Sequence, residues 1–226
     1  KTCSSVSTIE RIRSETNSYK KALVIMKGQN LINNYVNELA LVCTCKEKDE
    51  KGQCVEGPYV PKDYDLLNDE KRKRRINSLI SNFYEFQTFQ KFTDYIEKTS
   101  DNILIREFSN RIIVIDEAHN LRLTDKEDKN KYTQYDNMHR FLHIVKNCKV
   151  LLLTGTPMVD RPNEIASIMN LILPIEKQIP TLDNFTTNFL LRDKKDKDLT
   201  VMNPNAIDKL KSYLHGYISY LVAMKS

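Results

Sequence analysis

The sequence predicts an α/β domain with a mostly parallel sheet that helices cover on both faces. Short aliphatic runs alternate along the chain with longer amphipathic stretches, the order that a parallel sheet with crossover helices requires. The strand-like runs are aliphatic at consecutive positions, as in strands that are buried on both faces. The 226 residues are enough for one full-sized domain with appendages, and 40% apolar with 29% charged residues is typical of a globular protein.

The first third of the chain predicts two helices around one strand, followed by an insertion. Residues 4–15 have a helical pattern, and residues 22–26 form a short aliphatic run between lysines, which predicts a buried strand. Apolar residues recur at helical spacing over 31–39. Residues 44–75 are polar, contain glycines and prolines and end in five consecutive cations. They predict an insertion or long loop that leads into a helix over 69–81.

The rest of the chain continues the alternation of strand and helix. Strands are predicted over 84–87, 112–115, 150–153 and 217–222, and helices up to about residue 97 and over 135–147, 163–173 and 205–215. Residues 124–132 and 192–199 are highly charged and predict a loop and a solvated linker. The predicted division is a domain over 1–190 and a linker over 191–226.

Charge and cysteine content leave several classes of partner open. The net charge of +5 is compatible with nucleic acid but equally with a solvated mixed-charge surface. No stretch approaches the ~20 apolar residues of a membrane span, and no apolar leader opens the sequence. We therefore expect an intracellular protein without a membrane partner, in which the five cysteines are reduced. Cys43, Cys45 and Cys54 lack a nearby fourth ligand for structural zinc.

The strongest chemical signal follows the predicted strand at 112–115. Four aliphatic residues run directly into Asp116 and Glu117, so both acids emerge at the carboxyl end of a buried strand, where ligands bind in open α/β sheets. An aspartate there can hold Mg²⁺, and the adjacent glutamate can orient or deprotonate an attacking water. Two solvated acids at the end of a strand are the alternative, but two neighbouring carboxylates are costly without a cation or a chemical role.

The next predicted strand ends in Thr154, Gly155 and Thr156. The hydroxyl groups of the two threonines can form hydrogen bonds across the sheet edge to the acidic segment, and Gly155 permits close backbone approach. At the start of the sequence, Lys1 and Thr2 precede a helix, as in a phosphate-binding loop that ends in Gly-Lys-Ser/Thr. If glycines precede Lys1 in the native chain, its ammonium would meet the β- and γ-phosphates and Thr2 would ligate Mg²⁺.

These residues resemble motifs of the superfamily-two DEAD/DEAH-box helicases. Asp116-Glu117-Ala118-His119 is similar to motif II and Leu153-Thr154-Gly155-Thr156-Pro157 to motif III. The latter form, with Asn163-Glu164 and Leu173-Pro174, resembles the Snf2-like DNA translocases. Two further stretches, Phe83–Phe92 and Leu214–Tyr220, resemble helicase-like ATPases of large cytoplasmic DNA viruses: the poxvirus early transcription factor small subunit, the nucleoside triphosphate phosphohydrolase I group, and their giant-virus and asfarvirus relatives. The resemblance covers most of residues 1–222.

The resemblance implies a first RecA-like domain of the phosphate-loop NTPase class, in three layers, without its first strand and loop glycines. It implies ATP and Mg²⁺ as cofactors, motif I at Lys1 and Thr2, the Mg²⁺ carboxylate at Asp116 and the catalytic base at Glu117. His119 would couple ATP to nucleic acid with motif III residues Thr154, Gly155 and Thr156. Motif Ia at Lys27 and Gly28, and motif Ib at Thr88, would touch the nucleic-acid backbone.

The implied activity is an ATP-dependent nucleic-acid translocase in viral transcription, with DNA favoured over RNA and RNA polymerase or transcription factors as further partners. If viral, it would act in the virion and the host cytoplasm. A second RecA-like domain with the arginine finger would lie beyond Ser226, so residues 1–226 alone would hydrolyse ATP poorly. Two alternatives stay open: a non-catalytic RecA-like scaffold in a transcription complex, and the motor subunit of a restriction enzyme.

Overall fold

The computed structural model describes residues 1–123, 129–192 and 200–219, with the backbone alone for 129–132. The described residues form two compact units. The first comprises Lys1–Asn120 and Ile144–Gly155, and the second comprises the described parts of 121–143 and 156–226. None of the helices in the described ranges is long and apolar enough to cross a bilayer.

The first unit contains six strands and five helices. The strands are β1 (Lys21–Met26), β2 (Glu47–Lys48), β3 (Cys54–Glu56), β4 (Tyr84–Thr88), β5 (Arg111–Asp116) and β6 (Lys149–Leu153). The helices are α1 (Thr2–Glu15), α2 (Gln29–Glu38), α3 (Asp69–Ser81), α4 (Phe89–Lys98) and α5 (Asp101–Phe108). A single π-helical turn, Leu39–Cys43, extends α2.

Four of these strands form one parallel sheet in the order β4-β1-β5-β6. Strands β1 and β5 are central and almost completely buried, because their aliphatic residues face helices on both sides. Val24 and Val114 pack with α1, α2 and α3 in one apolar cluster. Leu23 and Ile113, on the opposite face, are also fully buried. The α/β prediction is therefore confirmed, and β6 lies at one edge of the sheet.

The insertion predicted over 44–75 has a structure of its own. It contains the β2–β3 hairpin and a 3₁₀ turn at Tyr64–Leu66, and it leads into α3, whose bounds match the predicted helix. Asn68 caps α3, because its side-chain oxygen accepts the backbone N–H of Lys71 at 3.0 Å. Tyr59 fastens the insertion to α1 by donating its hydroxyl hydrogen to Glu10 at 2.7 Å.

The second unit is mostly helical. Its elements are α6 (Lys129–Ile144), α7 (Glu164–Asn170), α8 (Leu182–Phe189), β7 (Leu190–Arg192), β8 (Thr200–Met202) and α9 (Ile207–Leu214). A cluster that includes Ala166, Phe185, Phe189 and Ala206 forms a core of this unit. Strands β7 and β8 pair antiparallel, apart from the main sheet.

Several sequence-based predictions differ from the structure. Residues 129–132 belong to α6 rather than to a loop, and 217–219 form no strand. Helices α5 and α8 and the β7–β8 pair were not predicted, because their short apolar patterns are set by tertiary contacts. The remainder of the predicted loop (124–128), of the linker (193–199) and of the last strand (220–222) lies outside the described residues.

The expectation of reduced cysteines is wrong for four of the five in this structure. Cys3 is bonded to Cys43 across 40 residues, and Cys45 to Cys54 across nine. Cys148 is free. The sequence did not reveal the first pair, because only the folded arrangement brings the start of α1 beside the π-helical turn after α2.

Candidate functional site

All four strands of the parallel sheet end at one edge. Strands β4 and β5 end on a predicted site residue, and β1 and β6 lead directly into one. Strand β5 ends at Asp116, and Thr154 directly follows β6. Lys27 and Gly28 follow β1, and Thr88 is the last residue of β4, opposite Met26 in the register. The parallel topology therefore brings residues from four separate parts of the sequence to one face of the first unit.

Lys1 lies between the two acids at this edge. Its Nζ is 2.8 Å from Oδ1 of Asp116 and 2.6 Å from Oε1 of Glu117. Burial lowers the pKa of Lys1, but hydrogen bonds and attraction from the two carboxylates outweigh burial and raise the pKa above its ordinary value. The ammonium is therefore held in its charged form. A predicted phosphate-binding lysine and a predicted acidic pair thus form one cluster.

The backbone at Glu117 is in the left-handed region, with φ of 53°. This conformation is unfavourable for a residue with a side chain. Asn120 holds it in place, because both its backbone N–H and its side-chain amide donate to the carbonyl oxygen of Glu117, at 2.9 and 2.8 Å. The turn directs Glu117 away from the strand line, so the two adjacent acids take different positions at the edge.

His119 connects the acidic turn to the end of the neighbouring strand. Its Nδ1 lies 3.1 Å from Oε2 of Glu117 and 3.1 Å from Oγ1 of Thr154. An ionised carboxylate only accepts hydrogen bonds, so the Nδ1–H tautomer satisfies this contact. The ring thus links the end of β5 with the end of β6 through side chains alone.

The chemistry of these residues fits a magnesium nucleotide. Mg²⁺ prefers hard oxygen ligands such as the carboxylate of Asp116 and the hydroxyl of Thr2. Oδ1 of Asp116 is buried, and its partner is the Lys1 ammonium at 2.8 Å. Thr2 opens α1, so the unpaired N–H groups of a helix start lie next to Lys1, where they favour phosphate.

The predicted nucleic-acid residues lie at the same edge, on the side of β1 and β4. Lys27 is exposed, and Gly28 forms the N-terminal cap of α2 in extended backbone. A side chain added at Gly28 would meet nothing within 4 Å, so the surface there is open. Thr88 is partly buried and caps α4.

The motif III segment crosses the boundary of the two units. Thr154 and Gly155 belong to the first unit, whereas Thr156 belongs to the second and is exposed. The structure therefore brings together Lys1, Asp116, Glu117, His119 and Thr154 by direct contact. Thr2 joins them as the neighbour of Lys1.

The second unit contains an ion pair to which sequence reasoning assigned no role. Glu164 is 2% exposed, and its Oε2 accepts the backbone N–H groups of Val159 and Asp160 at 2.7 and 3.3 Å. Its Oε1 lies 3.2 Å from Nε of Arg122. Glu164 therefore fixes the loop that follows motif III and joins this loop to Arg122, which lies shortly after the acidic pair in the sequence. An acid in the first turn of the helix predicted over 163–173 was the available signal.

Comparisons with known proteins agree with this fold. The SNF2-related domain family matches residues 1–219. A frog virus 3 protein provisionally named helicase 009L is 32% identical over 225 residues, covering 100% of this chain and 21% of that protein. An invertebrate iridescent virus 3 protein provisionally named helicase 087L is 35% identical over 236 residues, covering 100% of this chain and 20% of its own length. The chain thus spans about a fifth of these two relatives.

The solved structure of the Sulfolobus solfataricus SWI2/SNF2 ATPase core in complex with dsDNA has a similar fold. It matches with a TM-score of 0.52 and 18% identity, over 97% of this chain and 37% of that one. This likeness confirms the RecA-like α/β architecture that the resemblance implied. The chain is a member of the SNF2-related domain family, within the superfamily-two helicases.

Proposed function

We propose that this domain is the first half of an ATP-dependent nucleic-acid translocase. The observation that carries the proposal is the position of Lys1, with Nζ 2.8 Å from Asp116 and 2.6 Å from Glu117. A lysine at the start of a helix, an aspartate that can hold Mg²⁺ and a glutamate that can orient water, all within contact of one another, are groups that hydrolysis of a nucleoside triphosphate uses, which supports the proposal.

Each residue of the cluster has a role in this proposal. Lys1 binds the β- and γ-phosphates, Thr2 and Asp116 hold Mg²⁺, and Glu117 orients the attacking water and accepts its proton. Bound Mg²⁺ would supply compensation for the charge that develops on the phosphate oxygens. His119 contacts both Glu117 and Thr154, so a change in the charge at Glu117 moves Thr154 and the residues that follow it, Gly155 and Thr156.

The proposed track is DNA rather than RNA. Support comes from the structural neighbour, which is in complex with dsDNA, while a mimivirus relative at 26% identity is provisionally named as an ATP-dependent RNA helicase. Lys27, Gly28 and Thr88 would contact the backbone, and such contacts position a protein without reading sequence. We propose a role in viral transcription, with RNA polymerase or transcription factors as partners.

The proposed division places the ATP-binding domain in 1–190 and a connection to a second RecA-like domain in 191–226. In this proposal the second domain supplies the arginine finger, which can be worth ~10³-fold or more in rate. The isolated domain would then hydrolyse ATP poorly.

We propose that the protein acts in the virion and the host cytoplasm. Disulfides persist at virion surfaces and in other oxidising surroundings, whereas cytoplasmic thiols are kept reduced. The two bonded cysteine pairs would therefore be compatible with packaging into a virion.

The proposal is tested by ATP turnover of the full-length protein with single-stranded DNA, duplex DNA or RNA. We expect turnover that requires Mg²⁺ and rises most with duplex DNA. Glu117→Gln should abolish turnover but retain nucleotide binding, whereas Glu97→Gln, on the exposed surface of α4, should behave as wild type. Undiminished turnover in Glu117→Gln, or no stimulation by any nucleic acid, would contradict the proposal.

A further inference from the structure

The first turn of α1 includes Thr2, and a chain of two hydrogen bonds connects this turn to α2. The hydroxyl of Ser5 donates to the carbonyl oxygen of Thr2 at 2.8 Å. The same hydroxyl oxygen lies 2.9 Å from the hydroxyl of Tyr35 on α2. Ser5 and Tyr35 are 1% and 2% exposed, so water does not compete for these bonds.

The chain of bonds has a direction. Ser5 has one hydroxyl hydrogen, which it donates to Thr2, so Tyr35 donates its own hydrogen to the oxygen of Ser5. Burial raises the pKa of Tyr35 to about 12, and the charge of Asp116 contributes in the same direction. Tyr35 therefore keeps its hydrogen at neutral pH, and the order from Tyr35 through Ser5 to Thr2 is fixed.

A second connection joins the same two segments. Cys3, the residue after Thr2, is bonded to Cys43 at the end of the π-helical turn that continues α2. The ring of Tyr35 is itself fixed by an edge-to-face contact with Phe86 of β4, with centroids 5.7 Å apart. Segment α2 with its π-helical turn thus holds the turn of Thr2 at two adjacent points.

We propose that Tyr35 is a positioning residue that acts through Ser5 to orient Thr2 for Mg²⁺. The proposal rests on the proposed function, because it requires Thr2 to be a ligand of the nucleotide-bound cation. Helix α2 follows Gly28, beside the candidate nucleic-acid contact Lys27, and two turns later its Tyr35 contacts Ser5 in the first turn of α1.

The test measures binding of a fluorescent ADP analogue to the full-length protein, with and without Mg²⁺. Tyr35→Phe keeps the buried ring and removes only the hydroxyl. We expect the dissociation constant with Mg²⁺ to rise about fivefold to tenfold, the worth of one net hydrogen bond, and to change less than about twofold without Mg²⁺. Ser5→Ala should have the same effect, and the double variant should be no worse than Ser5→Ala alone.

Tyr59→Phe is the matched control. Tyr59 is also buried, and its hydroxyl contacts Glu10 and Arg13 toward the other end of α1. We expect it to lower the melting temperature while the Mg²⁺ dependence stays that of wild type. Tyr35→Phe with an unchanged Mg²⁺ dependence and a lowered melting temperature would overturn the proposal, because Tyr35 would then only pack. Wild-type protein without Mg²⁺-dependent binding would instead overturn the proposed function.

Discussion

At the scale of single residues, the contact between His119 and Thr154 joins the acidic turn to the end of β6. One ring nitrogen serves both Glu117 and Thr154, at 3.1 Å each. In the proposed function, a change in the charge around Glu117 would act on the end of β6 through this imidazole. The residues that follow Thr154 lead directly into the second unit.

Thr154→Val should separate hydrolysis from its stimulation. The substitution keeps the shape of the side chain and removes the hydroxyl that His119 contacts. We expect the affinity for ATP to change less than about twofold and the stimulation of turnover by nucleic acid to fall about threefold to tenfold, since one hydrogen bond contributes about 1 kcal/mol. The measurement is turnover of the full-length protein against nucleic-acid concentration.

Thr187→Val provides the control for this prediction. Thr187 lies on the exposed surface of α8, where its hydroxyl donates to the carbonyl oxygen of Asp183 at 2.9 Å. Nucleic acid should stimulate ATP turnover by Thr187→Val as strongly as turnover by wild type. If Thr154→Val is stimulated as strongly as wild type, the contact with His119 has no part in coupling.

The sequence allowed the acidic pair to be predicted, but not the residues that support it. Asp116 and Glu117 follow a buried aliphatic strand, so their place at the sheet edge depends on local pattern alone. Tyr35 and Ser5 are 30 residues apart in sequence. No sequence motif around either residue indicates the hydrogen bond between them, which only the fold reveals.

At the scale of elements, α1 is held at both its start and its second half. The disulfide between Cys3 and Cys43 holds its start, and the hydroxyl groups of Tyr59 and Tyr84 both donate to Glu10 in its second half. Because the proposed phosphate-binding turn is the first turn of this helix, its fastening limits the motion of Lys1 and Thr2.

Replacing both Cys3 and Cys43 with serine should lower the free energy of unfolding by about 4 kcal/mol in the chain-entropy account, because the bond closes a long loop. The bond spans 40 residues. Cys45→Ser with Cys54→Ser opens a loop of only nine and should cost about 2.5 kcal/mol. Urea unfolding of the two double variants checks the difference. Equal midpoints for the first variant and wild type would show that the bond contributes nothing.

Helix α6 should make stability depend on pH. Burial first, and then the positive charge of His143, lower the pKa of His139, whose ring lies 4.2 Å from that of His143. The lowered pKa means that the unfolded chain binds a proton first as the pH falls below the ordinary value of 6.5. The contribution of His139 is therefore fully present above that pH and is lost as the pH falls toward its folded pKa.

His139→Gln should reduce this dependence. The measurement is the free energy of unfolding in urea at about pH 7.5 and about pH 5.5, where wild type should lose more stability than the variant. His215→Gln, at an exposed position, should lose as much as wild type. A variant His139→Gln with the same loss as wild type would contradict the assignment.

The same scale shows why some elements were predicted and others were not. Strand β5 and helix α3 match their predicted positions closely, because a long aliphatic run and a capped amphipathic stretch are local signals. Helix α5 has eight residues, and β7 and β8 have three each. Elements this short depend on contacts with residues distant in sequence, and the local hydrophobic pattern does not indicate those contacts.

At the scale of the whole molecule, the sheet edge separates the two kinds of candidate site residue by strand. The candidate nucleotide residues Asp116 and Glu117 lie at the end of β5, beside Lys1 and Thr2 at the start of α1, and the candidate nucleic-acid residues lie at the ends of β1 and β4. This arrangement was accessible from the sequence in part, since the candidate motifs other than Lys1 and Thr2 each follow a predicted strand. The strand order was not, because periodicity does not specify which strands are neighbours.

Lys27→Ala tests the nucleic-acid side of this edge. If Lys27 contacts a phosphate, its loss should weaken binding about equally for all sequences and reduce the slope of log affinity against log salt by about one. Lys20→Ala removes an exposed lysine at the opposite end of β1 and should leave the slope unchanged. Equal slopes for Lys27→Ala and wild type would remove Lys27 from the interface.

The position of β6 has a practical consequence for handling the protein. Leu151, Leu152 and Leu153 are only partly buried, and along the outer side of β6 no strand pairs with it within the described residues. An aliphatic strand with a free row of backbone donors and acceptors is a template for association with another chain. Preparations of residues 1–226 by themselves would therefore tend to aggregate through this strand, and a lysine at Leu152 would be the first change for improving solubility.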